Sequence, residues 1–288
     1  MRYYRVDGSP GSRLLVQTDD GLFDLTSAND DLDSFVDLSR AAAITDTRPD
    51  DIATGLIHDA LELPEGALED VIRPIVPSEV WAAGVTYEIS EQARESESGK
   101  PEIYLDVYES DRPELFFKAT PSRTVGPNAH VGVRSDSEWN VPEPELGVVL
   151  HREEVVGFTI GNDVSSRSIE GRNPLYLPQA KVYERCCSIG PCVVSAESIP
   201  DPHDLRIEMT IGRGGDIVYE GTTHTSRMTR TCAELVDYYL GHNAVPETTV
   251  LLTGTALVPE DGFTLAAGDV VTIDVEGIGR LANPVTTV

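Results

Sequence analysis

Lysine is nearly missing from this chain: of 22 basic residues only Lys100, Lys118 and Lys181 are lysines. An arginine keeps its charge at any accessible pH, whereas a desolvated lysine can change protonation state, so a chain that avoids lysine elsewhere draws attention to the few it keeps. Lys100 lies in a polar run, Glu95-Ser96-Glu97-Ser98-Gly99-Lys100-Pro101, and reads as a loop residue. Cysteine is scarce too. Cys186, Cys187, Cys192 and Cys232 show no paired CxxC spacing, which excludes a zinc cluster, and their apolar surroundings read as buried reduced thiols. No run of 18 or more apolar residues exists to span a bilayer. The start, Met1-Arg2-Tyr3-Tyr4-Arg5, lacks the apolar stretch and small-residue cleavage site of a secretory signal, so the cytoplasm is the expected compartment. There is no internal repeat and no dinucleotide or P-loop glycine fingerprint, which leaves nucleotide chemistry without support.

What the chain has in excess is acid. Its formal net charge is −27 over 288 residues, and such a surface repels nucleic-acid phosphates and anionic membranes. The acids are scattered (Asp30, Asp31, Asp33, Asp50, Asp51, Glu91 to Glu97) instead of forming one tail. That distribution reads as a solvated surface adapted to high salt, where screening removes the self-repulsion; an ordinary acidic enzyme is the alternative. With 40% hydrophobic and 25% charged residues the composition is globular, and the length suits one large unit plus a small one.

Residues 1–75 are expected to form a small α+β domain. It would hold a strand pair around Tyr3–Val6 and Leu14–Thr18, a turn at Asp19-Asp20-Gly21, and helices near Asp31–Ala43 and Pro49–Leu61. The second helix is announced by Thr47-Arg48-Pro49-Asp50-Asp51, a hydroxyl, a proline and two acids where an N-terminus favours them. After the proline-punctuated link Ile72 to Pro77, residues 76–288 read mainly as strands, with alternation in Leu205–Ile211 and Val270–Glu276. One helix stands out there: Thr231–Leu240 puts Leu235, Val236, Tyr239 and Leu240 on an inward face, and Gly241 stops it.

The chemistry is expected around Pro142-Glu143-Pro144-Glu145 and Gly161-Asn162-Asp163, the two ends of a hairpin turning near Arg152 and Glu153. Glu143 and Glu145 are two apart, so on a strand they leave the same face. The flanking prolines cannot donate ladder hydrogen bonds and put this stretch at a sheet edge or strand entrance. A turn centred there sets residue 145 opposite about 160 and residue 143 opposite about 162, bringing Asp163 beside the glutamates. Three converging carboxylates repel unless a hard divalent cation with oxygen ligands, such as Mg2+ or Ca2+, joins them. A register error of one residue would instead scatter them as solvated charge. The segment Ser165 to Tyr183 mixes donors, aromatics and prolines as the wall of a concave site does, with Lys181 either reaching inward or salt-bridged. His151, in the predicted turn, is expected to be exposed.

At these residues the sequence resembles the fumarylacetoacetate hydrolase family, from about Trp81 to Val288. Gly84-Val85-Thr86-Tyr87 is similar to the family's Gly-Leu-Asn-Tyr strand, and Pro113 to Lys118 to its Pro-x-x-Phe-x-Lys strand. Glu143-x-Glu145 followed by Gly161-Asn162-Asp163-Val164-Ser165-Ser166-Arg167 matches the metal-binding core, and Leu252-Thr253-Gly254-Thr255 with Leu265 to Asp269 resembles the C-terminal signature. The resemblance implies an α+β, mainly β, roll with Mg2+, or Mn2+ or Ca2+, on Glu143, Glu145 and Asp163, chelating a 2-oxo acid. It also implies a homo-oligomer, a dimer or tetramer. Residues Ile169 to Tyr183 look like the branch that dehydrates 2-keto-3-deoxy-pentonates (xylonate or arabinonate) to 2,5-dioxopentanoate. Hydrolase members carry a histidine three residues after the Asn-Tyr tyrosine; Ser90 stands there here, with Glu88 or Glu91 as possible substitutes. Hydrolysis of an acylpyruvate or β-diketone, or decarboxylation of a 2-oxo acid, are the alternatives, and a silent calcium-binding subunit is a third. Lys181 and Glu114 are the expected acid–base pair, with their roles open, and Tyr87, Lys118, Gln179 and Thr255 are expected to orient substrate.

Overall fold

The computed structural model describes residues 1–8, 11–88 and 106–288; Lys100, Ser90 and Glu91 lie outside the described residues. A large mixed sheet forms the backbone of the molecule. Its path runs from Leu61–Leu63 through Gly21–Asp24, Ser12–Thr18, Arg2–Asp7, Cys187–Ser195, Glu154–Asp163, Pro144–His151, Thr248–Leu252 and Glu79–Gly84 to Glu114–Ala119. A five-stranded sheet, in the order Asp216–His224, Arg206–Arg213, Val270–Val275, Gly279–Thr287, Val131–Val133, packs beside it. The fold is α+β and mainly β, as expected.

Both faces of the large sheet are buried, which is why its central strands read as apolar runs and not as alternating ones. On one face Leu146, Val148, Leu150 and Ile160 pack against Ile207, Met209, Ile211 and Ile273 of the second sheet, with Leu235 and Tyr239 of the helix Cys232–Leu240. On the other, Val149, Val250 and Leu252 meet Tyr3, Leu14, Phe35 and Leu38 from the N-terminal segment. That segment is thus continuous with the large sheet: Arg2 and Tyr3 pair with Val194 and Val193.

Local rules account for most of the elements. Thr231 caps its helix by accepting from Glu234 N, and Gly241 ends it. The N-terminal helices differ in extent from the sequence expectation. The first spans Phe35–Thr45, because Ser34 accepts from Asp37 N and takes the cap position from the acids before it. The second spans Pro49–Ile57, capped at Arg48, whose N–H donates to Asp51 at 3.2 Å. It stops short because Leu61–Leu63 leaves to pair with Gly21–Asp24. His151 is also corrected: it ends its strand only 5% exposed, because that strand is paired on both sides there, His151 with Glu154 and with Thr248.

The hairpin carries the decisive deviation. Its turn is at Arg152 and Glu153, with Arg152 at φ 56°, and His151 pairs with Glu154 as expected. Between Leu150↔Val155 and Val149↔Gly157 the register shifts by one, a β-bulge that leaves Val156 unpaired. Beyond it Glu145 faces Gly161, not residue 160, and Pro144 faces Asn162. Asp163 N then donates to Glu143 O at 2.9 Å, so residue 143 sits opposite 163. Opposed residues in an antiparallel pair share a face, and Asp163 joins the glutamates only through this shift. In the expected register Asn162 would have taken its place.

Candidate functional site

Glu143, Glu145 and Asp163 are all buried, and one carboxylate oxygen from each lies within 4.8 Å of the others. Each is held by its own donors. Glu143 is gripped at both oxygens, by Arg167 Nη2 (2.9 Å) on Oε1 and Lys181 Nζ (2.6 Å) on Oε2. Lys181 also donates to Ser165 Oγ (2.7 Å) and reaches Asp163 Oδ2 at 3.5 Å. Asp163 Oδ1 pairs with Lys118, whose ammonium is fully buried and spends its remaining donors on Val164 O (2.9 Å) and Lys181 O (2.6 Å). Glu145 Oε2 accepts from Gly254 N at 2.5 Å. Gly254 is required there: its φ is +89°, and a Cβ would lie 2.1 Å from Thr86 Oγ1.

The electrostatics divide the three acids. Burial alone would push Glu143 up, but Lys181 and Arg167 outweigh it and hold the carboxyl at about 2. Among the described residues Glu145 forms no ion pair; burial, with Asp163 and Glu143 beside it, pushes it well above the usual carboxylate range. Burial acts to lower Lys181, yet Asp163 and Glu143 more than offset it, and the ammonium is held well above its ordinary value. Three anionic oxygens gathered so closely, one of them resisting its charge, form a donor set suited to a hard divalent cation.

Glu114 reaches the same site from its neighbouring strand. It pairs with Gly84, and its carboxyl folds over that glycine: a Cβ at residue 84 would lie 2.1 Å from Glu114 Oε2. Burial, with Glu170, Glu143 and Asp163 nearby, pushes Glu114 up, while Lys181 pulls it down. Tyr87 is 3% exposed, and its buried hydroxyl has no hydrogen-bond partner among the described residues; burial and Glu145 keep it protonated. Thr255 follows Gly254 and is half-buried, its hydroxyl accepting from Leu257 N. Gln179 is exposed on the turn Leu177–Lys181, two residues from Lys181 and so on the opposite side of that turn, where it lines a cavity of about 390 Å³ with Phe116, Arg134 and Val182. Glu88 is exposed.

The structure therefore gathers Glu143, Glu145, Asp163, Lys181, Lys118 and Glu114, with the pKa of Tyr87 responding to Glu145. Three participants stood inside the quoted motifs but were given no role of their own: Arg167, Ser165 and the glycine at 84. Their signal was proximity, since Ser165 and Arg167 follow Asp163 by two and four residues, and Gly84 opens the strand that runs to Tyr87. All four cysteines are buried and free. No described helix is long and apolar enough to cross a membrane.

The family described as fumarylacetoacetate (FAA) hydrolase C-terminal matches residues 79–286. Over 290 residues the chain is 58% identical to the probable 2-keto-3-deoxyxylonate dehydratase of Haloferax volcanii, covering 100% of both. It is 43% identical over 243 residues to the 2-dehydro-3-deoxy-D-arabinonate dehydratase of Saccharolobus solfataricus, covering 82% of this chain and 81% of the relative. A solved structure of 2-keto-3-deoxy-D-arabinonate dehydratase complexed with magnesium and 2,5-dioxopentanoate superposes with a TM-score of 0.85 at 34% identity, covering 100% of this chain and 99% of the other.

Proposed function

The chain belongs to the fumarylacetoacetate hydrolase family, and from that premise we propose that it dehydrates 2-keto-3-deoxy-pentonates of the xylonate or arabinonate type to 2,5-dioxopentanoate. The observation that carries this reading is the convergence of the acid triad, Lys181 and Glu114 on one buried site, in a chain whose relatives are named for that reaction.

Glu143, Glu145 and Asp163 would hold Mg2+, with Mn2+ or Ca2+ as alternatives. When bound, the cation supplies Lewis acidity at the substrate's C2 carbonyl, which makes the C3 proton removable. Glu114 is the proposed base: its carboxyl is more basic than an ordinary one and is aimed by its seat on Gly84. Lys181, held as an ammonium, carries the proton that the departing C4 hydroxyl needs. Lys118 acts by way of Asp163, since every donor it has is already spent inside the protein. The hydroxyl of Tyr87, with Thr255 beside Gly254, is proposed to orient the sugar-acid hydroxyls, whereas Gln179, turned to the other side of its short helix, is not placed to join them. Elimination leaves a 2-oxo-3-ene that still carries the C5 alcohol, and a net proton shift from C5 to C3, through the dienol, then gives the C5 aldehyde.

A small N-terminal domain over residues 1–75, a catalytic domain over 76–288, a homo-oligomer and a cytoplasmic setting belong to the same reading. The start of the family match at residue 79 supports the boundary. Incubation with Mg2+ and 2-keto-3-deoxyxylonate, 2-keto-3-deoxyarabinonate or acetylpyruvate tests the function. Aldehyde from either sugar acid is the expected result. Turnover of acetylpyruvate alone would mark a hydrolase and end the proposal.

A further inference from the structure

Lys181 stands in an unusual relation to the proposed ligands. Its ammonium is 2.6 Å from Glu143 Oε2 and 3.5 Å from Asp163 Oδ2, so it bridges two of the three carboxylates that would hold the cation. The other oxygen of each of those two acids is taken by Arg167 or Lys118, so the oxygens Lys181 touches are the ones neither of those cations holds. A divalent ion drawing on them meets a fixed positive charge on the same atoms, and like charges that close, out of solvent, repel strongly.

Resting on the metal-binding reading above, we infer that Lys181 and the divalent cation compete for Glu143 and Asp163, so that loading the metal expels the ammonium toward the substrate side. Lys181 has somewhere to go. Ser165 Oγ already accepts from it at 2.7 Å, the Phe116 ring lies 5.4 Å from Nζ, and the Glu114 carboxyl answers electrostatically to its charge. None of these is a proposed metal ligand. The consequence is an ordering device: the lysine is tied up between two carboxylates until the ion arrives, and only then is its ammonium released toward Ser165 and Glu114. Arg167 and Lys118 stay behind to fix the carboxylates, because each holds the oxygen that points away from Lys181.

The test measures Mg2+ binding by calorimetry on chelator-treated full-length protein, for the wild type, Lys181→Met and Lys181→Arg. Competition predicts that removing the charge tightens Mg2+ binding by at least about tenfold, and that the rise in melting temperature on adding Mg2+ is larger in Lys181→Met than in the wild type. Lys181→Arg, which keeps the charge, should not tighten. Unchanged or weaker Mg2+ binding in a folded Lys181→Met protein overturns the inference. No Mg2+ binding in the wild type is a different failure, that of the metal reading itself. A wild-type crystal soaked in Mg2+ decides the matter without a variant: Lys181 Nζ should have left hydrogen-bond distance of Glu143 Oε2, and an ion and an ammonium sharing that oxygen would refute competition.

Discussion

Gly84→Ala isolates the role of Glu114 without touching its carboxyl. A methyl group on residue 84 would sit 2.1 Å from Glu114 Oε2 and 2.8 Å from its Cδ, where ordinary contact begins at 3.4 Å. The oxygen must retreat by about 1.3 Å, and displacing a reacting group by about 1 Å costs on the order of a hundredfold in rate, or about 2.7 kcal/mol in the barrier. The fold itself should not suffer. Gly84 is absent from the positive-φ residues, so alanine can adopt its backbone, and glycine-to-alanine exchange at such a site stabilises by about 0.4–1 kcal/mol through the unfolded chain. The expected enzyme has an unchanged or slightly raised melting temperature, an unaltered Mg2+ affinity, and a kcat lowered toward that of Glu114→Gln with little change in KM. Steady-state kinetics beside a thermal melt make the comparison. A Gly84→Ala enzyme that turns over at the wild-type rate would show that the seat on Gly84 does not position a reacting group, and would remove Glu114 as the base.

Glu145→Gln should raise the melting temperature of chelator-treated protein at neutral pH and abolish its response to Mg2+. A carboxyl pushed up by burial binds its proton more tightly folded than unfolded, so it costs stability as pH rises above its unfolded value near 4.3. Glu143, held at about 2, works the other way: its stabilisation is present above the unfolded value and is lost as pH falls toward 2, so Glu143→Gln should flatten the acid limb of a stability–pH curve. Lys118→Met leaves Asp163 Oδ1 and two backbone carbonyls without their donor, and chemical denaturation should register a loss of about 3–5 kcal/mol, typical of a broken buried pair. Finally, the charge of −27 predicts that activity and folding strengthen toward molar KCl; a protein fully folded and active at low ionic strength would contradict the high-salt reading.

Much of this was legible in residue order because it rests on local rules. Thr231 and Gly241 bracket a helix by capping chemistry, and the hairpin turn at Arg152 follows from the polar break between two apolar runs. Glu143 and Glu145 were legible as a pair, since acids two apart on a strand must share a face, but Asp163 was not, because only the bulge brings it to that face. Features set by long-range packing were not. Val155 and Val156 look alike, and nothing in their chemistry says that one of them goes unpaired; the decision belongs to the ladders on either side. His151 reads as a turn residue until the strand Thr248–Leu252 is known to pair with its strand from the other side. Lys118 reads as a substrate contact until the strand Glu114–Ala119 is seen to send it inward, beneath Asp163 and the end of the Leu177–Lys181 turn.

The unpaired valine of the hairpin has a consequence for how such centres arise and fail. Side chains on a strand obey an odd–even rule, so whether the aspartate meets the glutamates depends on the parity of the chain between them and not on any acid being mutated. Losing or gaining one residue in that arm would keep every ligand in the protein yet turn one of them to the wrong side. Deletions there should therefore behave like ligand knockouts, and only a second single-residue change that restores the count should rescue them.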